Sequence, residues 1–287
     1  MKQYILILLS FSSLISFGQK KSLTDAEQLQ LKGKVKSVIE KQFNPKNSSP
    51  KEKGEMVYSD GIQEYYFNTK GDYTLMLSKN SDRFIMKKTE FQYDDDNRLI
   101  QRLVFLEEAS VADQYRYAYE GKSTAPKYYR WEKNGHLKGF YLFEYNKKGL
   151  LSRFEDRNAS DVINFYSNYQ YNKKGQLFEK EKWLTAEGTL NIEQYQYNKK
   201  KQRHQTNFLT AEREIIGQQT HEYNTMGYLE KTSYSAYGNL MSTFRYEYEY
   251  DRYQNWTKQI IYEGGEILLI IEREINYYPQ KKNKRSR

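Results

Sequence analysis

The chain has 287 residues, with 46 Lys+Arg against 37 Asp+Glu and no cysteine. The lack of cysteine excludes disulfides, thiolate nucleophiles and Cys-based zinc or iron–sulfur sites. A mean hydropathy of −0.99, with no long apolar run after the first twenty residues, excludes membrane-spanning helices. An aromatic content of 16% speaks against a disordered chain.

The first element in chain order is an export signal. Lys2 precedes a short apolar stretch over 5–17, and Ser16-Phe17-Gly18 puts small residues at −3 and −1 of a cut before Gln19. Residues 1–18 are therefore expected to be a signal peptide. The mature protein is then exported to the periplasm, the cell surface or the extracellular medium, and is held together by packing alone. Thr24 and Glu27 have capping-box spacing, which predicts a short helix over 25–31 shielding the first sheet edge. Val35, Ile39 and Phe43 among polar residues predict a first strand over 33–43, followed by a loop over 44–54.

The next feature is a spacing. Tyr145, Tyr171, Tyr197 and Tyr223 lie 26 residues apart, and each is followed by Asn. Counting back by 26 meets Tyr119, Tyr93 and Phe67, and counting on by 27 meets Tyr250 and Tyr277. Nine positions in one register define a tandem repeat that is clear over 65–278. Before each anchor, aromatic and polar residues alternate, as in Tyr169-Gln170-Tyr171 and Tyr248-Glu249-Tyr250, the period of a half-buried strand. Asn-x-x-Gly then makes a tight turn, with Gly71, Gly149, Gly175 and Gly227 accepting the positive φ. Leu99, Leu151, Leu177, Leu229 or Trp256 opens the following strand.

Each unit reads as a β-hairpin that cannot bury enough apolar surface alone, so neighbours must stack. The expected fold is all-β: tandem β-hairpin repeats of period about 26, coiled into a long, twisted antiparallel meander with tyrosines on its inner face. The domain expectation is a single β-repeat domain over 19–279 and a basic, disordered tail over 280–287. Lys281, Lys282, Lys284, Arg285 and Arg287 of this tail suit contact with an anionic surface. The rest of the mature chain is near +3 with both signs mixed, which disfavours a nucleic-acid partner.

The turns carry a resemblance. Tyr145-Asn146-Lys147-Lys148-Gly149-Leu150-Leu151, Tyr171 to Leu177 and Tyr223 to Leu229 resemble YD repeats of the RHS type. Phe67 to Tyr73, Tyr93 to Leu99 and Tyr250 to Trp256 match that pattern in part. The resemblance implies a secreted or surface β-repeat sheet that curls into a shell. Large members of the family encapsulate toxins and some are described as carbohydrate-binding. The unit here is longer and no toxin-like module follows the last repeat, so the closer likeness is to small secreted bacterial proteins that carry such repeats.

Chemical motifs are sparse. His221 stands where other units place a packing aromatic, and His204 and His136 fall in other registers, so no shared metal site is expected. Asp94-Asp95-Asp96 lacks the spacing of a calcium loop. Glu179 and Glu181 share a strand face, as a glycosidase pair could, but lysines interleave. No catalytic residue, metal or cofactor is expected. Trp131, Trp183 and Trp256 are the candidate ligand-binding residues, as aromatics suited to an exposed concave or edge surface. The leading functional expectation is an exported, non-enzymatic binding or scaffold protein of the cell envelope that takes a glycan or an envelope protein and does not span the membrane. The alternatives are a secreted glycan-acting hydrolase and an outer-membrane β-barrel.

Overall fold

The computed structural model describes residues 23–46, 49–107 and 111–279. The expected signal peptide (1–18) and basic tail (280–287) lie outside the described residues. One short helix, α1 (Asp25–Gln28), precedes the strands. These are β1 (Val35–Lys46), β2 (Ser49–Met56), β3 (Ile62–Phe67), β4 (Tyr73–Lys79), β5 (Ile85–Tyr93), β6 (Leu99–Leu106) and β7 (Val111–Tyr119). They continue as β8 (Pro126–Lys133), β9 (His136–Tyr145), β10 (Leu151–Asn158), β11 (Ile163–Tyr171), β12 (Leu177–Leu184) and β13 (Thr189–Tyr197). The last are β14 (Arg203–Leu209), β15 (Ile215–Tyr223), β16 (Leu229–Ala236), β17 (Asn239–Tyr250), β18 (Trp256–Glu263) and β19 (Glu266–Tyr277).

The expectation of an open coiled meander is corrected: the sheet closes. From β3 to β19 each strand pairs antiparallel with the next, and β1 joins the two ends. It pairs with β3 through Val38↔Tyr65 and Lys41↔Ile62. On its other side it pairs with β19 through Val38↔Ile275, Glu40↔Arg273 and Phe43↔Ile270. The result is an 18-strand barrel. β2 stands outside the ring, paired with the far end of β1 through Phe43↔Met56 and Pro45↔Lys53.

The physical cause of closure recurs at the anchors. The register slips at each of them, between Tyr66 and Phe67, Gln92 and Tyr93, Gln170 and Tyr171, Gln196 and Tyr197, Glu222 and Tyr223, and Glu249 and Tyr250. Such bulges bend a strand and add twist. Repeated in every unit, the bend accumulates until the ends meet, and full closure removes the free edges of the sheet.

Single buried apolar side chains such as Val104, Phe143, Leu151, Ile192 and Leu209 recur round the ring, but the compact apolar clusters do not. These three clusters sit at the seam where the ends join. Tyr228, Phe244, Trp256, Ile261, Leu269 and Ile271 form one. Ala26, Leu31, Val35, Val38 and Phe67 form the second, and Phe43, Ile260, Tyr262 and Ile270 the third. Ile261 and Ile270 are fully enclosed, and each such side chain contributes about 1.5–3 kcal/mol of transfer free energy.

The capping box forms as expected: the Glu27 amide donates to Thr24 Oγ1 and the Thr24 amide to Glu27 Oε2. The helix ends at Gln28 rather than at residue 31, and Gln30 turns to a φ of 58°. Because the ring is closed there is no first edge for α1 to shield. Instead Ala26 donates its amide to the Gly71 carbonyl, and Asp25 accepts the Tyr73 amide. The Lys32 backbone exchanges two bonds with the Asn255 side chain. The segment 24–32 thus crosses the seam from the β3–β4 turn to the β17–β18 turn.

Candidate functional site

Strand pairing sorts side chains onto two faces. One carries Tyr115, Tyr117, Tyr129, Tyr141, Phe143, Phe154 and Phe165 in adjoining rows, with ring centroids 4.4 Å apart for Tyr129 and Tyr141 and 5.3 Å apart for Phe143 and Phe154. The other carries mainly charged and amide side chains. On it Glu155 is held by Arg153 at 2.7 Å and Arg157 at 2.6 Å. The aromatic face is not purely apolar: Arg273 pairs with Glu40 at 2.6 Å and Lys180 with Glu193 at 3.3 Å.

Three readings of carboxylates and histidines are resolved by geometry. Glu179 is buried, accepts bonds from Arg213 at 2.8 and 3.1 Å and from Gln194 at 2.8 Å, and Arg213 also holds Glu181. The Arg213 hydrogen bonds hold the Glu179 carboxyl below its ordinary range. A general acid needs the opposite shift. Asp94 of the triple-aspartate turn is occupied by the Arg98 amide and Nε. The expectation that the histidines are unrelated is corrected in part. β14 and β15 are neighbours, and the pairing Gln205↔Thr220 sets His204 beside His221. Burial, then Arg203 and His204, push His221 down to about 4, so it is neutral near pH 7. Its Nδ1 meets Thr232 Oγ1 at 3.2 Å.

The tryptophans do not come together. Trp131 lies on the aromatic face of β8, stacked on Tyr115, with Nε1 donating to Asp113 at 2.7 Å. Trp183 lies on the other face of β12, opposite Tyr166 and Leu190. Trp256 was expected at an exposed surface and is 8% exposed. It sits in the seam core under the Arg273 guanidinium, 3.4 Å from its ring centre. The site is made by the next hairpin: β18 pairs with β19, which brings Arg273, Leu269 and Ile271 to Trp256, and the sequence did not reveal that this strand pair packs its side chains over the tryptophan.

The anchors and turns build one rim. In the Asn turns the side-chain oxygen accepts the backbone amide four residues on, and in all but the Asn198 turn also the one two residues on, as Asn146 does from Lys148 at 2.9 Å and Leu150 at 3.1 Å. The fourth turn position takes a left-handed φ: 98° at Gly71, 74° at Gly149, 76° at Gly175 and 91° at Gly227, but also 65° at Lys201. Beside each turn an anchor hydroxyl reaches back to the first carbonyl of the preceding strand. Tyr93 bonds to Tyr73, Tyr119 to Leu99, Tyr145 to Pro126, Tyr197 to Leu177 and Tyr223 to Arg203, at 2.7–2.9 Å. Tyr250 instead accepts from Asn224, and Tyr277 bonds with Asp251 and Asn255. Phe67 has no hydroxyl, and its carbonyl is taken by Tyr278. Among the described residues Tyr171 is the tyrosine anchor whose hydroxyl finds no hydrogen-bond partner.

Tyr171 opens onto a hollow. It lies between the β9–β10 and β11–β12 turns, has a volume of about 320 Å³, and is lined by Asn146, Lys147, Lys148, Leu150, Tyr169, Tyr171 and Asn172. Burial raises the Tyr171 phenol to about 12, so it is a neutral hydroxyl near pH 7. The lysines of three successive turns, 147–148, 173–174 and 199–201, are all exposed and no acid interrupts them. Phe178, just past the middle turn, is 40% exposed. The opposite rim is different in kind, with exposed Tyr58, Phe84, Ile215, Tyr237, Leu240 and Met241. The lysine arc was missed because summed charge hides it: three turns 26 residues apart in sequence are two strands apart in space.

No family model matches the chain, and no curated protein sequence matches it. Among solved structures, it is similar to a porin-like protein from Bacteroides uniformis, with 11% identity, a TM-score of 0.44, and coverage of 84% of this chain and 96% of that one. It is similar to a porin-like protein from Bacteroides vulgatus, with 11% identity, a TM-score of 0.40, and coverage of 69% and 100%. It is also similar to the TcdB2-TccC3 structure, with 12% identity and a TM-score of 0.38 over 76% of this chain. There the match spans 12% of the larger protein.

Proposed function

We propose that this chain is a non-enzymatic β-barrel of the cell envelope that serves as a binding scaffold. The observation that carries the reading is ring closure by β1, which yields a wall without free edges and with polar groups on both faces. Two of its buried carboxylates, Glu155 and Glu179, are clamped by arginines, which hold them ionised. The recurring Asn turn and the back-bonded tyrosine support a wall built from repeated hairpins, in line with the YD-type resemblance. The apolar-plus-hydroxyl chemistry of the half-buried tyrosines suits a glycan or a protein partner.

A second reading, a barrel spanning the outer membrane, is favoured by the closure itself, since a closed antiparallel ring with an even number of strands can cross a bilayer. The side chains favour a wall standing in water. Arg153, Glu155 and Arg157 lie on one face and Lys180, Lys182 and Glu193 on the other, and an Arg or Lys at the bilayer midplane costs about 2–4 kcal/mol. Cell fractionation separates the two. The scaffold reading expects release of the folded protein by osmotic shock without detergent. Recovery only in detergent, with a heat-dependent shift in gel mobility, would establish the spanning barrel instead.

A further inference from the structure

The lysine arc points to a partner that the scaffold reading does not name. We propose that the rim formed by the β9–β10, β11–β12 and β13–β14 turns docks the barrel on an anionic lipid surface. The inference rests on the reading of a barrel standing in water within the envelope.

Three observations carry it. First, Lys147, Lys148, Lys173, Lys174, Lys199, Lys200 and Lys201 are exposed on adjacent turns. Turns two strands apart stand about 10 Å from one another, so the seven charges share one patch at the end of the barrel. All seven stand at turn tips along one rim, which suits a flat partner better than a thread-like one. Second, the hollow behind the first two turns is lined by Lys147, Lys148 and Tyr171, whose hydroxyl has no partner, so cationic and hydroxyl donors for one anionic headgroup stand at its wall. Third, exposed Phe178 stands beside the middle turn, as an aromatic flanked by lysines does at a lipid interface.

The rest of this rim sets the orientation. The β5–β6 turn carries Asp94, Asp95 and Asp96, six strands from the centre of the arc and a third of the way round the ring. Repulsion there tilts the barrel onto its lysine side. Attraction between exposed charges and a charged surface fades within a Debye length, so docking weakens as salt rises.

The test is co-sedimentation of the full chain with vesicles of phosphatidylglycerol and phosphatidylethanolamine, against vesicles of phosphatidylcholine. Binding to the anionic vesicles alone is expected, with loss at high salt. Changing all seven lysines to Gln should weaken binding more than tenfold, and Lys147→Gln with Lys148→Gln should weaken it in part with an unchanged melting curve. A tail variant with Lys281, Lys282, Lys284, Arg285 and Arg287 changed to Gln should still bind. Binding that follows the tail, equal binding to neutral vesicles, or no binding overturns the proposal. So does an acidic polysaccharide such as polygalacturonate that binds more tightly than the vesicles. A barrel released by osmotic shock that ignores anionic vesicles defeats the docking proposal and leaves the scaffold reading standing. A barrel that needs detergent for release defeats the scaffold reading itself.

Discussion

The seam and the wall of this barrel are stabilised in different ways. At the seam, β17–β19, β1 and β3 bury Ile, Leu, Val and Trp in compact clusters. Along the wall from β7 to β13, rings stack at 4–6 Å and carboxylates are clamped by basic side chains. The wall is a generic module that can be repeated, because each hairpin supplies its own turn and all but the Tyr171 unit supply their own tyrosine bond. The seam is a joint between two ends with no sequence in common, and it needs a dense apolar contact to hold a ring whose bend is spread over eighteen strands.

That contrast gives graded expectations. Ile270→Ala, at a fully enclosed seam position, should lower unfolding free energy by about 4 kcal/mol. Phe165→Ala, on the half-buried wall, should cost about half as much in the same chemical denaturation series. Equal costs would erase the distinction between joint and wall. Next is Glu179→Gln in the wall, which strands part of the Arg213 fork and should cost about 2 kcal/mol. The Glu179 pKa is depressed from 4.5 by Arg213. The sign follows: its contribution is present above the unfolded value and is lost as the pH falls through the folded one. The acid limb of the stability curve should therefore flatten in the variant.

Asp25 has the opposite sign at the seam. Burial pushes its carboxyl up from 3.8 to about 6. Between those values the folded chain holds a proton that the unfolded chain has released. Its stabilising contribution is therefore full below about 3.8, falls across the window and is absent above about 6. The midpoint of unfolding should drop as the pH is raised through this range, by an amount equivalent to about 3 kcal/mol. Asp25→Asn keeps an acceptor for the Tyr73 amide and should remove that slope. A slope that survives assigns the titration elsewhere. The smallest effect is at Lys201, whose φ of 65° fills the position that glycine takes in sister turns. Lys201→Gly should raise stability by about 1 kcal/mol. A lower midpoint in thermal melting would mean that the lysine side chain supports the turn.

Much of the wall was legible. Leu99, Leu151, Leu177, Leu229 and Trp256 do open strands, because period-two alternation and Asn-x-x-Gly turns act locally. The capping box at Thr24 was legible for the same reason. Closure was not: it depends on small bends summed over the ring, and on pairing between residues such as Glu40 and Arg273 that are 233 apart in sequence. The burial of Trp256 and the closeness of His204 to His221 arise instead from pairing of consecutive strands, β18 with β19 and β14 with β15, whose register the sequence alone did not reveal. The lysine arc was written in the turns, but only their adjacency in space makes it a patch.

The most direct test of the closed ring is a single engineered disulfide across the seam. Lys41 and Glu272 are Cα partners on β1 and β19, and the native chain has no cysteine. In Lys41→Cys/Glu272→Cys, mild oxidation should link the two ends within one chain and give a faster-migrating monomer on a non-reducing gel, as Cα separations of paired strands allow. Two thiols that stay free, under conditions that link a Lys182→Cys/Asn191→Cys control across β12 and β13, would show that the sheet is open and that the seam does not exist.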